Sequence, residues 1–241
     1  MTLTPDFLVA ILAVFVAGVL RGFSGFGVGM VLVPILSLLY SPMVAVITVV
    51  LLEIIPSIQL VPGSIAHCDW RSVMPMAISG IITVPIGSFL LVSTDANTMR
   101  ICIALLVILC VVILATGWRF EGGRTLKAPT LTGMASGLIS GAASLGGLPV
   151  ILFYLSGGHS SQVARASIVV FLFITTMISL LTYSLHGIIS ADILLRTIML
   201  VPIFILAIWV GGKLFGKVSE SLFRAVTLTL LGGVGVVMLI S

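Results

Sequence analysis

Two glycine-rich stretches carry the residue types best suited to chemistry. They are Arg21-Gly22-Phe23-Ser24-Gly25-Phe26-Gly27 and Ser140-Gly141-Ala142-Ala143-Ser144-Leu145-Gly146-Gly147. Glycine lets the main chain approach a ligand closely. A helix that restarts after an interruption turns free N–H groups and the positive end of its dipole toward the gap. Ser24, Ser140 and Ser144 add hydroxyl donors, and the planar fork of Arg21 can meet two oxygens at once. Together these groups suit a small oxyanion. The candidate ligands are Arg21, Gly22, Ser24, Gly25, Gly27, Ser140, Gly141, Ser144, Gly146 and Gly147. Small residues also let helices pack closely, and that is the reading for Gly18 and Gly137. Arg21 has a second reading as an interfacial arginine reaching toward headgroups.

Other polar residues are sparse. Glu53 lies mid-way along an apolar stretch. Buried there, its carboxyl would resist ionisation and could carry a proton, or it could pair with Arg21 as a fixed bridge. His67 and His186 stand near the ends of long apolar stretches and are candidates for proton coupling, although interfacial histidines are usually only solvated. Cys68, Cys102 and Cys110 have neither a CxxC nor a metal spacing and read as small apolar filler. No triad, metal-ligand set, P-loop or dinucleotide fingerprint occurs, so the expectation is a non-enzyme without a cofactor or bound metal.

The elements holding these residues must be membrane helices. Of 241 residues, 60% are hydrophobic and 7% charged. Soluble domains carry about 25% charged residues, so this chain cannot clothe a soluble globule. Its net charge of +4 reflects basic residues at segment ends rather than a basic-aromatic patch, which argues for membrane orientation and against nucleic acid. Ten apolar segments follow one another. They run from about Phe7 to Leu20, Phe26 to Tyr40, Pro42 to Ile65, Ser72 to Val92 and Met99 to Gly117. After a polar loop come Leu131 to Ile139, Leu148 to Leu155, Gln162 to Leu185, Ile193 to Gly212 and Leu222 to Ile240. The whole of 1–241 reads as one membrane domain.

The order repeats. Gly18 and Gly137, Gly22 and Gly141, Gly27 and Gly146, Ser41 and Ser160, Ala45 and Ala164, and His67 and His186 share one separation (137 − 18 = 119). Gly87 with Gly211 and Arg100 with Arg224 share another (211 − 87 = 124). Repeat 1 spans about 6–117 and repeat 2 about 130–241, joined by the loop 118–129. The first two segments of each repeat are short, either arms of a re-entrant hairpin or one broken span. A hairpin puts the Arg119–Lys127 and Lys213–Arg224 clusters on one side with His67–Arg71 and Arg165, as the positive-inside rule prefers. Each repeat then has a hairpin plus three long helices. Three crossings are odd, so the repeats insert with opposite orientation, and both termini lie outside the cytoplasm. Fully spanning arms give the same parity.

Paired helix interruptions in corresponding halves point to a transport site. The stretches Gly18-Val-Leu-Arg-Gly-Phe-Ser-Gly-Phe-Gly-Val-Gly29 with Val33-Pro34, and Gly137-Leu-Ile-Ser-Gly-Ala-Ala-Ser-Leu-Gly-Gly147 with Pro149, resemble the sulfite exporter TauE/SafE family, also called the toluene sulfonate uptake permease family. The resemblance covers essentially the whole chain. It implies a secondary transporter, usually an exporter, of a sulfur-containing anion such as sulfite or an organosulfonate, in the bacterial cytoplasmic (inner) membrane. The expected partners are the small anion, the lipid bilayer, a coupling proton or sodium ion, and a second copy in a homodimer. An anion channel and an intramembrane sulfur-redox protein are the alternatives.

Overall fold

The structure is a computed structural model that describes residues 5–25, 27–116, 127–156, 160–214 and 220–240. Of the polar loop 118–129, residues 118–126, including Arg119, Glu121 and Arg124, lie outside the described residues, as does Phe26. Within the described residues the chain is all α. Ten helices occur there: α1 (Pro5–Ser24), α2 (Val28–Leu39), α3 (Pro42–Ile65), α4 (Trp70–Ser93), α5 (Ala96–Thr116), α6 (Lys127–Ala143), α7 (Gly147–Ser156), α8 (Ser161–Leu185), α9 (Ala191–Leu214) and α10 (Glu220–Ile240). Six of them, α1, α3, α4, α5, α8 and α9, have described stretches long and apolar enough to cross a membrane. The protein is therefore a polytopic helical membrane protein. Its exposed surface fits that solvent: α4 turns Met74, Ile78, Ile82, Ile86 and Phe89 outward, where a soluble helix would carry charge.

Proline and glycine sit inside these helices without ending them. Pro56 and Pro62 lie within α3, Pro75 and Pro85 within α4, and Pro202 within α9. Neighbouring helices and local adjustments can re-satisfy the groups a membrane proline frees. The helix starts are marked by polar caps. The Ser41 hydroxyl accepts from the Val44 N–H at 3.3 Å, and the Ser160 hydroxyl accepts from the Val163 N–H at 3.4 Å. These two caps are 119 residues apart, the same separation that relates the glycines.

The helices assort into two compact units. Unit 1 is Met1–Leu52, Thr94–Gly117 and Ile189–Ser241; unit 2 is Glu53–Ser93 and Trp118–Ile188. Each unit draws on both halves of the chain. In unit 1, α1 packs on α9. An added Cβ on Gly22 would overlap the Ile208 carbonyl oxygen, one on Gly211 the Val19 carbonyl oxygen, and one on Gly18 the Ala207 side chain. In unit 2, α6 packs on α4 in the same manner. An added Cβ on Gly141 would overlap the Val84 carbonyl oxygen, and one on Gly87 the Leu138 carbonyl oxygen. Residue numbers rise together along both contacts, so each packed pair runs parallel. Gly22 and Gly141 are matched in the sequence, and so are Gly211 and Gly87. The two crossings therefore use glycines that pair at the separations read from the sequence.

The first arms are longer than the sequence suggests. Helix α1 does not end at Leu20 but continues through Arg21 and Gly22 to Ser24, 20 residues in all. Helix α6 runs 17 residues, Lys127–Ala143, and includes Ser140 and Gly141. The physical reason is the close crossing. Glycine weakens an isolated helix by about 1 kcal/mol, but here its missing side chain admits the neighbouring backbone, and the packing holds the helix together.

Candidate functional site: two matched helix breaks

The breaks themselves are short. In unit 1, α1 ends where the Gly25 N–H donates to the Arg21 carbonyl at 2.7 Å, with Gly25 at φ 85°. In unit 2, α6 ends where the Ser144 N–H donates to the Ser140 carbonyl at 2.9 Å, with Ser144 at φ 54°. Gly25 and Ser144 are again 119 apart. Both are left-handed residues closing a helix with the same hydrogen bond. For serine that conformation costs roughly 1–2 kcal/mol, and among the described non-glycine residues Ser144 alone has positive φ. Gly27, at φ 95°, then opens α2 without a side-chain cap, and Gly147 opens α7. Amide groups at the starts of α2 and α7 thus face the breaks without intrahelical partners.

Around each break the sequence candidates separate by role. Arg21 is buried, 4% exposed, in the last turn of α1. There its charge complements the negative end of the helix dipole. Ser140 is buried with its hydroxyl against Gly146, where an added Cβ would overlap it. Gly22 and Gly141 stand at the helix crossings described above, while an added Cβ on Gly27 would meet nothing within 4 Å and one on Gly147 only ordinary neighbours. Ser24 belongs to α1, and its side chain lies outside the described residues. The break-one candidates all lie in unit 1, and the break-two candidates all lie in unit 2. Glu53 is a buried carboxylate of α3, 8% exposed. His67 and His186 are exposed at the ends of α3 and α8, the latter with Nδ1 at 2.7 Å from the Thr182 carbonyl.

Two further residues brace the second break. The Tyr183 hydroxyl, fully buried in α8, donates to the Gly141 carbonyl at 2.7 Å. The Ser136 hydroxyl donates to the Gly146 carbonyl across the break. Both satisfy backbone oxygens that a break would leave exposed in an apolar medium. Ser136 stands one turn before Ser140, so helical spacing could have flagged it. Tyr183 is distant in sequence, and its only signal is a phenol inside an apolar helix.

The far ends of these arms are polar as well. Arg100, in the first turns of α5, donates through Nε to the Ser37 carbonyl at 2.9 Å and through Nη2 to the Tyr40 carbonyl at 3.4 Å. The Arg196 guanidinium lies over the Tyr40 ring, 4.7 Å from its centroid. Burial raises the Tyr40 phenol above its usual range, against the pull of Arg196 and with a smaller push from Asp6. In unit 2 the Asp69 N–H donates to the buried Ser167 hydroxyl at 2.9 Å, tying the start of α4 to the start of α8. Burial also raises the neighbouring Cys68 thiol, so its thiolate fraction at neutral pH is small.

Comparison with known proteins identifies the family. The family model described as sulfite exporter TauE/SafE matches residues 10–238. A curated protein of Cupriavidus necator, described as a probable sulfite/organosulfonate exporter TauE, is 28% identical over 228 residues, covering 88% of this chain and 85% of its own length. No solved structure matches. With its polytopic helices and a family match along nearly its whole length, the chain belongs to the sulfite exporter TauE/SafE family, as a multi-pass protein of the bacterial inner membrane that transports a small anion and is not an enzyme.

Proposed function

We propose that this protein is a secondary transporter that exports a sulfur-containing anion, sulfite or an organosulfonate, with the two Gly/Ser-rich breaks supplying its ligands near the membrane midplane. The observation that carries this reading is the twin break. Gly25 and Ser144 close their helices with the same left-handed turn at matched positions, and a new helix follows each with free amides. Arg21 supplies the fixed positive charge, Ser140 and Ser144 supply hydroxyls, and the amides of α2 and α7 supply the remaining donors. Glu53 is the coupling group, taking a proton or a sodium ion in step with the anion. The curated relative's description supports the choice of cargo.

The topology belongs to the same proposal. Each repeat is a hairpin plus three long helices, and the repeats are inverted. Contacts inside each unit support this. Because α4 and α6 run parallel with Gly133 beside Met76, the starts of both helices lie at one end of unit 2. Asp69 places the start of α8 at that end too. Helix α6 ends beside Ser88 at the other end, so α7 must run back. In unit 1, α1 and α9 are parallel, and Tyr40, the end of α2, sits against Arg196 near the start of α9, so α2 also runs back.

Sulfite flux in proteoliposomes tests the function. The reading expects saturable, counterflow-competent transport that Arg21→Ala abolishes or cuts at least about tenfold, the scale of one charge-assisted hydrogen bond. Unchanged transport by Arg21→Ala would remove the charge assignment. Flux that never saturates and shows no counterflow would point to a channel.

A further inference from the structure

We propose that Arg100 and Arg196, grouped around Tyr40 at the end of unit 1 opposite the first break, form a separate docking site for an oxyanion at the outer mouth of the transport path. The proposal rests on the anion-transport reading above and adds a second, peripheral stop for the same cargo. Four observations lead to it. First, two guanidinium groups from different helices meet one residue: Arg100 through the Tyr40 carbonyl and Arg196 through the Tyr40 ring. Second, neither arginine is used up. A guanidinium has five N–H donors. Arg100 commits Nε and Nη2 to carbonyls, and Arg196 meets Tyr40 through its ring face and a side-chain hydrogen bond, so each fork has further N–H groups beyond these. Both side chains are half-buried, so their remaining donors are partly desolvated yet reachable. Third, the same turn of α2 contains the fully buried Ser37 hydroxyl, which has no hydrogen-bond partner among the described residues. A buried orphan hydroxyl needs a partner, and a bound anion or its water supplies one. Fourth, the position is unexpected for orientation signals. With only 11 Lys and Arg in the chain, the positive-inside rule gives no reason to keep two at the outer end.

The test measures transport from each face separately, with radiolabelled sulfite in right-side-out and inverted membrane vesicles. Arg196→Gln and Arg100→Gln are each expected to raise KM about tenfold for sulfite presented at the outer face, the loss of one charge-assisted hydrogen bond. KM at the inner face and the maximal rate stay as in the wild type. Arg196→Lys keeps the charge and the ring contact but loses the fork, so its rise is smaller. A merely structural clasp would not confine the change to the outer face. Equal KM changes at both faces, or an unchanged outer KM in Arg196→Gln and Arg100→Gln, would overturn the docking site. So would a flat outer KM combined with anionic phospholipid raising the thermal midpoint of the wild type but not of Arg196→Gln, since the pair would then hold a lipid phosphate. Wild-type protein with no sulfite flux at either face would sink the transport reading and this one together; intact flux with indifferent variants would sink this one alone.

Discussion

At the residue scale, neighbouring glycines in one helix do different work. Gly211 faces the Val19 carbonyl oxygen, whereas an added Cβ on Gly212 meets nothing within 4 Å. Gly211→Ala must therefore push α9 away from α1 and should cost about 1–3 kcal/mol, as overpacking does. Gly212→Ala should be neutral or stabilise α9 by roughly 0.5–1 kcal/mol through helix propensity. Thermal unfolding of the two purified variants decides it; equal midpoints would mean the crossing is looser than the contacts imply. Ser144 separates stability from function at the same scale. Ser144→Gly relieves a left-handed serine and should raise stability by about 1 kcal/mol. If its hydroxyl is a ligand, sulfite transport falls in the same variant. A rise in stability with full transport would leave Ser144 as a helix stop and nothing more.

At the element scale, most of the helices were legible because lipid demands long apolar runs with polar punctuation. The run Pro42 to Ile65 coincides with α3, and the runs for α4, α5, α8 and α9 match to within three residues at either end. The breaks were harder to place. Arg21 and Gly22 look like helix stoppers when only the local chain is read, yet both lie inside α1. What keeps them helical is the backbone of α9, some 190 residues away in sequence. The same blindness hid Tyr183, whose partner at Gly141 lies on another helix. The helix caps, by contrast, are local and carry a prediction. Asp95 opens α5, with its carboxylate accepting from the Thr98 N–H at 2.9 Å. That bond holds its pKa below the ordinary 3.8. A lowered folded-state pKa gives stability that is complete above the unfolded value and is lost as pH falls through the folded one. The wild type should therefore lose thermal stability as pH falls from about 5, roughly one unit above the unfolded value, down through the lowered folded value, by more than Asp95→Asn does. Parallel acid titration curves for the two proteins would rule the cap out as a source of acid sensitivity.

At the scale of the whole molecule, the contacts inside each unit fix which of its own helix ends lie together. In unit 2 the connection after α3, the start of α6 and the start of α8 lie at one end; they carry Arg71, Lys127 and Arg165. In unit 1 the starts of α1, α5 and α9 lie at one end, which carries Arg100 and Arg196. If the two hairpins return as proposed, the chain crosses an even number of times and the termini lie together, outside. A phosphatase reporter fused after Ser241 should then be active in the periplasm, and a fluorescent protein at the same point should stay dark. Inserted at the 118–126 connection, the two reporters should behave the opposite way. A broken-span architecture, in which each pair of arms crosses once, predicts instead that the C-terminal fusion and the 118–126 insertion report the same side, with Arg71 and Arg165 on opposite sides. Single cysteines at 71 and 165, introduced into a chain whose own three cysteines are replaced, separate the cases. Inverted repeats with returning hairpins require an impermeant thiol reagent to reach both from the cytoplasm and neither from outside. Labelling of the two positions from opposite faces would dismantle the hairpins, and with them the argument that the breaks turn their free amides toward cargo instead of passing straight through the bilayer.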